Sequence, residues 1–318
     1  MTRVIMIFLD GVGIGRKDAR VNPLMAARLP HLRGLLGGEI PSRGNRAWST
    51  ADATVMPVDA TMGVAGLPQS GTGQTALFTG VNAPRLVGKH FGPYPYSTLR
   101  PVIEAHSIFT RLVHAGRAAC FANAYPQKFF DYIERRKTRM TVTNYSCLTA
   151  GIPLRRAEHL HDGVAVSADI TGAAWPGLGH PDIQPITPAQ AGERLGRLSA
   201  TYDFVLFEYW KTDHEGHAQS MDGAVAAMEM IDTMIGGLLA TVDPRSTLLV
   251  ITSDHGNMED LSTKTHTLNP VPLILAGDGH AVTAQRVLHF GGSAPDLTHI
   301  LPALMEVLRA DPRAPLPS

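Results

Sequence analysis

Apolar residues in this chain fall into short unbroken runs set between longer stretches of mixed polarity. Arg3–Leu9 is one such run, and it stops at Asp10-Gly11-Val12-Gly13. Its length and the glycines after it predict a strand buried on both faces rather than a helix. Phe204–Tyr209 repeats the form and runs on to Asp213, while Thr247–Thr252 repeats it and runs into Asp254-His255. Residues 272–276 read as a further strand. Elsewhere the spacing becomes helical: Pro188–Leu198, 221–242 and 294–308 are expected helices, the last with Leu297, Ile300, Leu301, Leu304 and Leu308 on one face. This alternation predicts an α/β fold with a mostly parallel sheet flanked by helices.

The middle of the chain has a different texture. From 85 to 199 it is rich in Pro, Gly and Tyr, holds most of the clustered basic charge, and has no apolar run that ends in an acid-plus-His pair. It is expected to be an inserted α+β cap domain, with 1–84 and 200–318 forming the core. Hinges are expected near 84 and 200, and Tyr94, Tyr96 and Tyr125 are expected to serve packing or the hinge.

Composition narrows the function classes. Lys+Arg and Asp+Glu are both 28 in 318 residues, so no net charge draws the chain to nucleic acid or to an anionic membrane. At 44% hydrophobic and 18% charged it can bury a core, which excludes wholesale disorder. No apolar run approaches the ~20 residues of a membrane span. Cys120 and Cys147 are too few for a disulfide framework and fit a reducing compartment. The first apolar run is short and followed at once by Asp10, so it reads as a strand rather than an export signal, and the expected location is cytoplasmic.

Four clusters could carry chemistry. Asp10 closes a buried strand, where a carboxylate needs a partner or a cation. The segment from Gly66 to Gly80, Gly-Leu-Pro-Gln-Ser-Gly-Thr-Gly-Gln-Thr-Ala-Leu-Phe-Thr-Gly, leads a Gly-rich loop into a helix-like stretch. Free backbone N–H groups there would make an anion site, with Thr72 or Thr75 as nucleophile. It lacks the Gly-Lys-Ser/Thr ending of a P-loop. Asp213 and His217 are four apart, so one helical turn would bring both to one metal, although this is not the His-Glu-x-x-His pattern. Lastly, Ser253-Asp254-His255-Gly256-Asn257 is followed eleven residues after His255 by His266. The sum is a carboxylate-rich set with three imidazoles and a hydroxyl, suited to two divalent cations and phosphoryl transfer.

These motifs, in this order, resemble the alkaline phosphatase superfamily, and most nearly its cofactor-independent phosphoglycerate mutase and phosphopentomutase branch. The resemblance covers the two end segments, about 200 residues, and extends to Ala294-Pro295-Asp296-Leu297 before the last helix. It implies an alkaline-phosphatase-like core and two metals: Asp213, His217 and His266 for one, and Asp10, Asp254 and His255 for the other, with Thr75 as nucleophilic ligand. The mutase pattern has Asn-Ser where this chain has Gln74-Thr75, and threonine is the nucleophile of the related nucleotide phosphodiesterases. A sulfatase-like Cys-x-Pro-x-Arg is absent at Cys120 and Cys147. Oxygen ligands mixed with imidazole suit Mn²⁺ or Zn²⁺.

Substrate phosphate would need cations. Glu134-Arg135-Arg136-Lys137-Thr138-Arg139 reads as a solvated surface or as a phosphate clamp. Arg135 and Arg136, together with Lys89 (beside His90), Arg100 and Lys211, are the candidates. The expected function is metal-dependent phosphatase or phosphomutase chemistry on a small phosphorylated metabolite. The alternatives are a phosphodiesterase or nucleotide pyrophosphatase, and a non-catalytic metal-stabilised protein that binds such a metabolite.

Overall fold

A computed structural model describes residues 2–135 and 139–308. Among these described residues nine strands form two sheets. In the main sheet, β1 (Arg3–Leu9) lies between β7 (Phe204–Tyr209) and β8 (Thr247–Thr252), parallel to both. Beyond β8 come β9 (Val271–Ala276), β3 (Ala53–Val58) and the two-residue β2 (Trp48–Ser49), paired antiparallel in turn. On the other side β4 (Ala119–Phe121) adds to β7 in parallel and forms the sheet's edge. Five of the seven strands therefore point one way, with β9 and β2 opposed. The second sheet pairs β5 (Asn123–Ala124) with β6 (Val166–Ser167).

The period of two along a strand divides the core into two layers. Val4, Met6 and Phe8 of β1 join Phe204 and Leu206 of β7 and Leu248 and Val250 of β8 on one face. Ile5, Ile7 and Leu9 join Val205, Phe207, Leu249 and Ile251 on the other. The helices Ser70–Thr79 and Ile300–Val307 cover the first face; Pro188–Leu198 and Met221–Leu239 cover the second. Burial on both faces is why these strands are unbroken apolar runs.

The three strands before Asp10, Asp213 and Asp254 have the expected bounds. The final helix differs. A 3₁₀ turn, Leu297–His299, precedes it, because the Asp296 side chain accepts the N–H of Thr298 at 2.8 Å and starts the turn there. No helix among the described residues is long and apolar enough to cross a membrane.

Segment 85–199 departs from the expected separate cap. It supplies the edge strand β4, and Leu99, Ile103, Ile108, Phe109, Leu112, Val142 and Cys147 enter the same core as β1 and β8. Pro188–Leu198 packs into the second layer. The part with a core of its own is small: Ala124, Leu160, Ala165, Trp175 and Ile183, beside the two-stranded sheet. Apolar helical faces bind most of the insertion to the main sheet, so residues 85 and 199 do not divide two bodies.

Candidate metal centre

Because β7 and β8 flank β1 in parallel, their carboxyl ends open at one place, where ligands gather in open α/β sheets. Leu9 registers with Tyr209, and Phe8 registers with Thr252. Asp10, the helix Lys211–Ala218 and Ser253-Asp254-His255 therefore meet. The chain turns sharply here. Gly11 adopts φ +70, and a Cβ on it would stand 2.5 Å from Asp213 Oδ1. Only glycine suits both demands.

Two triads result, each with ligand atoms within 4.8 Å of one another. In the first, His217 Nε2 is 3.3 Å from Asp213 Oδ2, and His266 Nε2 is 3.6 Å from Asp213 Oδ1. In the second, His255 Nε2 is 3.4 Å from Asp10 Oδ1 and 3.6 Å from Asp254 Oδ2. The His255 and His266 rings stack with centroids 3.8 Å apart, so the triads adjoin. The six ligand residues inferred from the sequence are thus brought together as the two expected sets.

The imidazoles are oriented for ligation. His217 Nδ1 faces Lys264 O at 2.9 Å, His266 Nδ1 faces Pro68 O at 2.7 Å, and His255 Nδ1 faces Gly256 O at 3.4 Å. A carbonyl only accepts, so in the neutral ring each Nδ1 holds the proton and each Nε2 lone pair points to the centre. Asp10 Oδ1 and Asp254 Oδ2 are buried with no hydrogen-bond partner. Burial, then Asp254, pushes the Asp10 carboxyl well up; burial, then Asp213, raises Asp254. Burial lowers His255, but Asp254 and Asp10 overcome it and hold the ring at about 10. Burial and His255 lower His266 to about 4. Without a cation the cluster must take up protons. Orphaned acceptors and inward lone pairs fit divalent cations, which would replace those protons.

The expected nucleophile requires correction. Thr75 is fully buried within the Ser70–Thr79 helix and donates to Gly71 O at 2.6 Å. Thr72 donates to Gln69 O at 3.1 Å. Both hydroxyls turn back onto their own helix. The first residue of that helix, Ser70, has its Oγ 3.0 Å from His255 Nε2. Thr75 lies five residues on, about 7.5 Å along the axis. The N–H groups of Ser70 and Gly71 lack intrahelical partners while that of Thr72 donates to Phe91 O at 2.9 Å, and Gln69 makes no side-chain cap, so the end beside Ser70 favours an anion.

Of the substrate candidates, Lys211 opens the helix that carries Asp213 and His217. Lys89 is exposed, with Nζ 6.0 Å from the Phe91 ring centroid. Arg100 lies over the Tyr145 ring at 5.7 Å. Arg135 ends the helix Gln127–Arg135 on an exposed face with Lys128, Asp131 and Tyr132. None of these three is brought to the triads by a described contact. Arg136 lies outside the described residues.

Two buried acids near the triads were not anticipated. Glu259 accepts the N–H of Gly13 at 2.9 Å and of Asn257 at 2.7 Å, the amide of Asn269 at 2.9 Å, and the hydroxyl of Thr267. It ties together the turns that carry Asp10, His255 and His266. Asn257 in turn donates to Asp213 Oδ1 at 2.6 Å. Glu208, the one acid in the strand Phe-Val-Leu-Phe-Glu-Tyr, is pushed up to about 7 by burial, with Asp254 adding to the effect. A lone acid in an apolar strand was the available signal.

The family model described as the Metalloenzyme superfamily matches residues 190–312. The 2,3-bisphosphoglycerate-independent phosphoglycerate mutase of Antithamnion sp. is 34% identical over 113 residues, 34% of this chain and 21% of that protein. The enzyme of the same name from Dinoroseobacter shibae is 32% identical over 131 residues, 38% and 25% of the two chains. The matches thus span only about a fifth to a quarter of the curated relatives' length. Among solved structures, a Pyrococcus horikoshii protein superposes with TM-score 0.59 at 16% identity over 98% of this chain and 97% of that one. The alkaline phosphatase of the Antarctic bacterium TAB5 gives 0.54 at 13% identity over 98% and 100%.

Proposed function

We infer that this chain is a metalloenzyme of the alkaline phosphatase superfamily, near the cofactor-independent phosphoglycerate mutases, and that it transfers phosphoryl groups of small phosphomonoesters with Ser70 as nucleophile. The carrying observation is the Ser70 hydroxyl at a helix N-terminus, 3.0 Å from a histidine of one triad and beside the other. Asp213, His217 and His266 would hold one divalent cation, and Asp10, Asp254 and His255 a second. Mn²⁺ or Zn²⁺ suits this mixture of carboxylate and imidazole. Bound there, the cations would supply charge stabilisation and lower the hydroxyl's pKa.

Ser70 would release its hydroxyl proton to solvent, its Oγ would form a bond to phosphorus as the ester P–O bond breaks, and the leaving oxygen would take up a proton from solvent. The phosphoseryl group would then pass to water in a phosphatase, or to a second substrate hydroxyl in a mutase. The backbone N–H groups at the start of the helix and Lys211 would face the phosphoryl oxygens. A cytoplasmic phosphorylated metabolite is the proposed substrate.

The test is phosphate release from an aryl phosphomonoester and the matching diester by Mn²⁺- or Zn²⁺-loaded protein, with a chelated control. Chelator-sensitive monoester cleavage with a trapped phosphoserine at Ser70 is expected. Preference for the diester would move the reading to phosphodiesterase chemistry. Two bound metals without turnover of any phosphate ester or isomerisation of any sugar or glycerate phosphate would leave only a binding protein.

A further inference from the structure

At the opposite end of β7, a cavity of about 370 Å³ lies against the edge strand β4. Phe121, Ile152 and Leu198 give it apolar walls; Cys120, Arg155 and Tyr202 give it a polar side. Cys120 registers with Val205, four residues before Tyr209. At ~3.3 Å per residue that is about 13 Å along the strand from the metal end, so this is a separate site.

Arg155 is only 8% exposed. Its Nη1 donates to Val164 O at 2.6 Å; its Nη2 donates to Cys120 Sγ at 2.9 Å and Tyr202 Oη at 3.2 Å. All three acceptors are neutral, since burial pushes the Cys120 thiol up. Arg20, Arg197, Arg245 and Arg286 each stand beside a carboxylate. Arg155 has none within 4.0 Å among the described residues. Asp203, next to Tyr202, directs its carboxylate to the Ala118 N–H at 2.9 Å. A guanidinium stays charged at all physiological pH, and neutral acceptors compensate its burial less well than an anion does.

We propose that this cavity binds a small organic carboxylate, which accepts from the Arg155 guanidinium N–H groups not committed to Val164, Cys120 and Tyr202 and lays its short apolar body against Phe121, Ile152 and Leu198. Arg155 is the one guanidinium in the lining, where His159 also stands with its Nδ1 accepting the Arg156 N–H at 3.2 Å, so a permanent single charge matches a monoanion better than a phosphate dianion. The volume lies in the range of small-ligand sites. The inference is independent of the phosphoryl-transfer reading.

The experiment measures iodoacetamide alkylation of Cys120 in the metal-loaded full chain by peptide mass spectrometry, with Cys147 as internal reference. The probes are benzoate, butyrate, benzyl alcohol and inorganic phosphate. Benzoate or butyrate should slow Cys120 alkylation saturably and at least fivefold, leaving Cys147 unchanged. Benzyl alcohol and phosphate should need at least tenfold higher concentration. Arg155→Met should abolish protection. Should that variant fail to fold, Leu198→Phe, which fills the cavity and keeps the charge, should do the same. Carboxylate binding by calorimetry without Cys120 protection would assign the anion to the metal centre and overturn the proposal. So would equal protection by benzyl alcohol, by phosphate, or in either folded variant.

Discussion

Compare the two ends of β7. Beyond its carboxyl end, Asp10, Asp213 and Asp254 crowd together, and burial with the neighbouring carboxylates pushes Asp10 and Asp254 up, so that the ligand set is balanced only by protons or a cation. Beside its amino end, Arg155 is buried among neutral acceptors. Both sites hold charge that folding has withdrawn from water without a full counter-charge. They differ in how the charge is held. At the metal end, each histidine has a carbonyl on Nδ1, and Glu259 accepts from groups on three separate turns. Such a shell fixes ligand positions closely, as metal coordination demands. Arg155 has one layer of neutral contacts, which suits a ligand held by one charge and a shaped wall.

The largest expected effect bears on the chemistry at the metal end. Ser70→Ala should lower phosphoester turnover at least ~10³-fold while two metals per chain remain by elemental analysis. Thr75→Val, which removes only a buried hydroxyl bonded to Gly71 O, should stay within about tenfold of the parent. The reverse pattern would restore Thr75 as nucleophile and break the reading of this helix.

The outer shell comes next. Glu259→Gln keeps the shape but turns one acceptor oxygen into a donor facing other N–H groups. Metal affinity should fall ~10–100-fold, measured by competition with a chelating dye. An unchanged affinity would mean that the turns hold their places without Glu259, and that the two ends of β7 are alike in rigidity.

Metal loading should also release protons. With His255 held at about 10 and Asp10 raised, the chelated protein carries protons at pH 7 that a cation must displace. About one proton per chain is expected from titration calorimetry in buffers of different ionisation enthalpy. Apparent affinity should therefore rise with pH between 6 and 8. No proton release would mean that the triads are already deprotonated and that the negative charge is balanced elsewhere.

How much of this was legible in the sequence follows from distance along the chain. β1, β7 and β8 are unbroken apolar runs, and their ligands sit within a few residues of the strand ends, so both strand and ligand set could be read locally. Ser70 was not, because four hydroxyls lie between 70 and 79 and their spacing does not say where the helix begins. Only the fold makes Ser70 its first residue and turns Thr75 inward. Glu259 serves Gly13, 246 positions away, and leaves no local trace. The insertion was misjudged for a related reason. A three-residue edge strand and helices such as Ile108–His114 reveal their place only through contacts with strands distant in sequence.

The smallest effect concerns Glu208, near the metal end yet outside both triads. Its carboxyl is held at about 7 by burial, above the ordinary 4.5. The unfolded chain ionises it near 4.5 and the folded chain only near 7. Between these values the folded state binds more protons, so this residue makes stability fall as pH rises. The penalty is absent below the unfolded value and complete above the folded one. In chelated protein at pH 8, Glu208→Gln should therefore gain up to about 3 kcal/mol, at ~1.4 kcal/mol per pKa unit, and little at pH 4.5. Urea unfolding at the two pH values measures the difference. A gain equal at both would mean that the carboxylate is already compensated in the fold, and that uncompensated charge at this end of β7 is confined to the two triads.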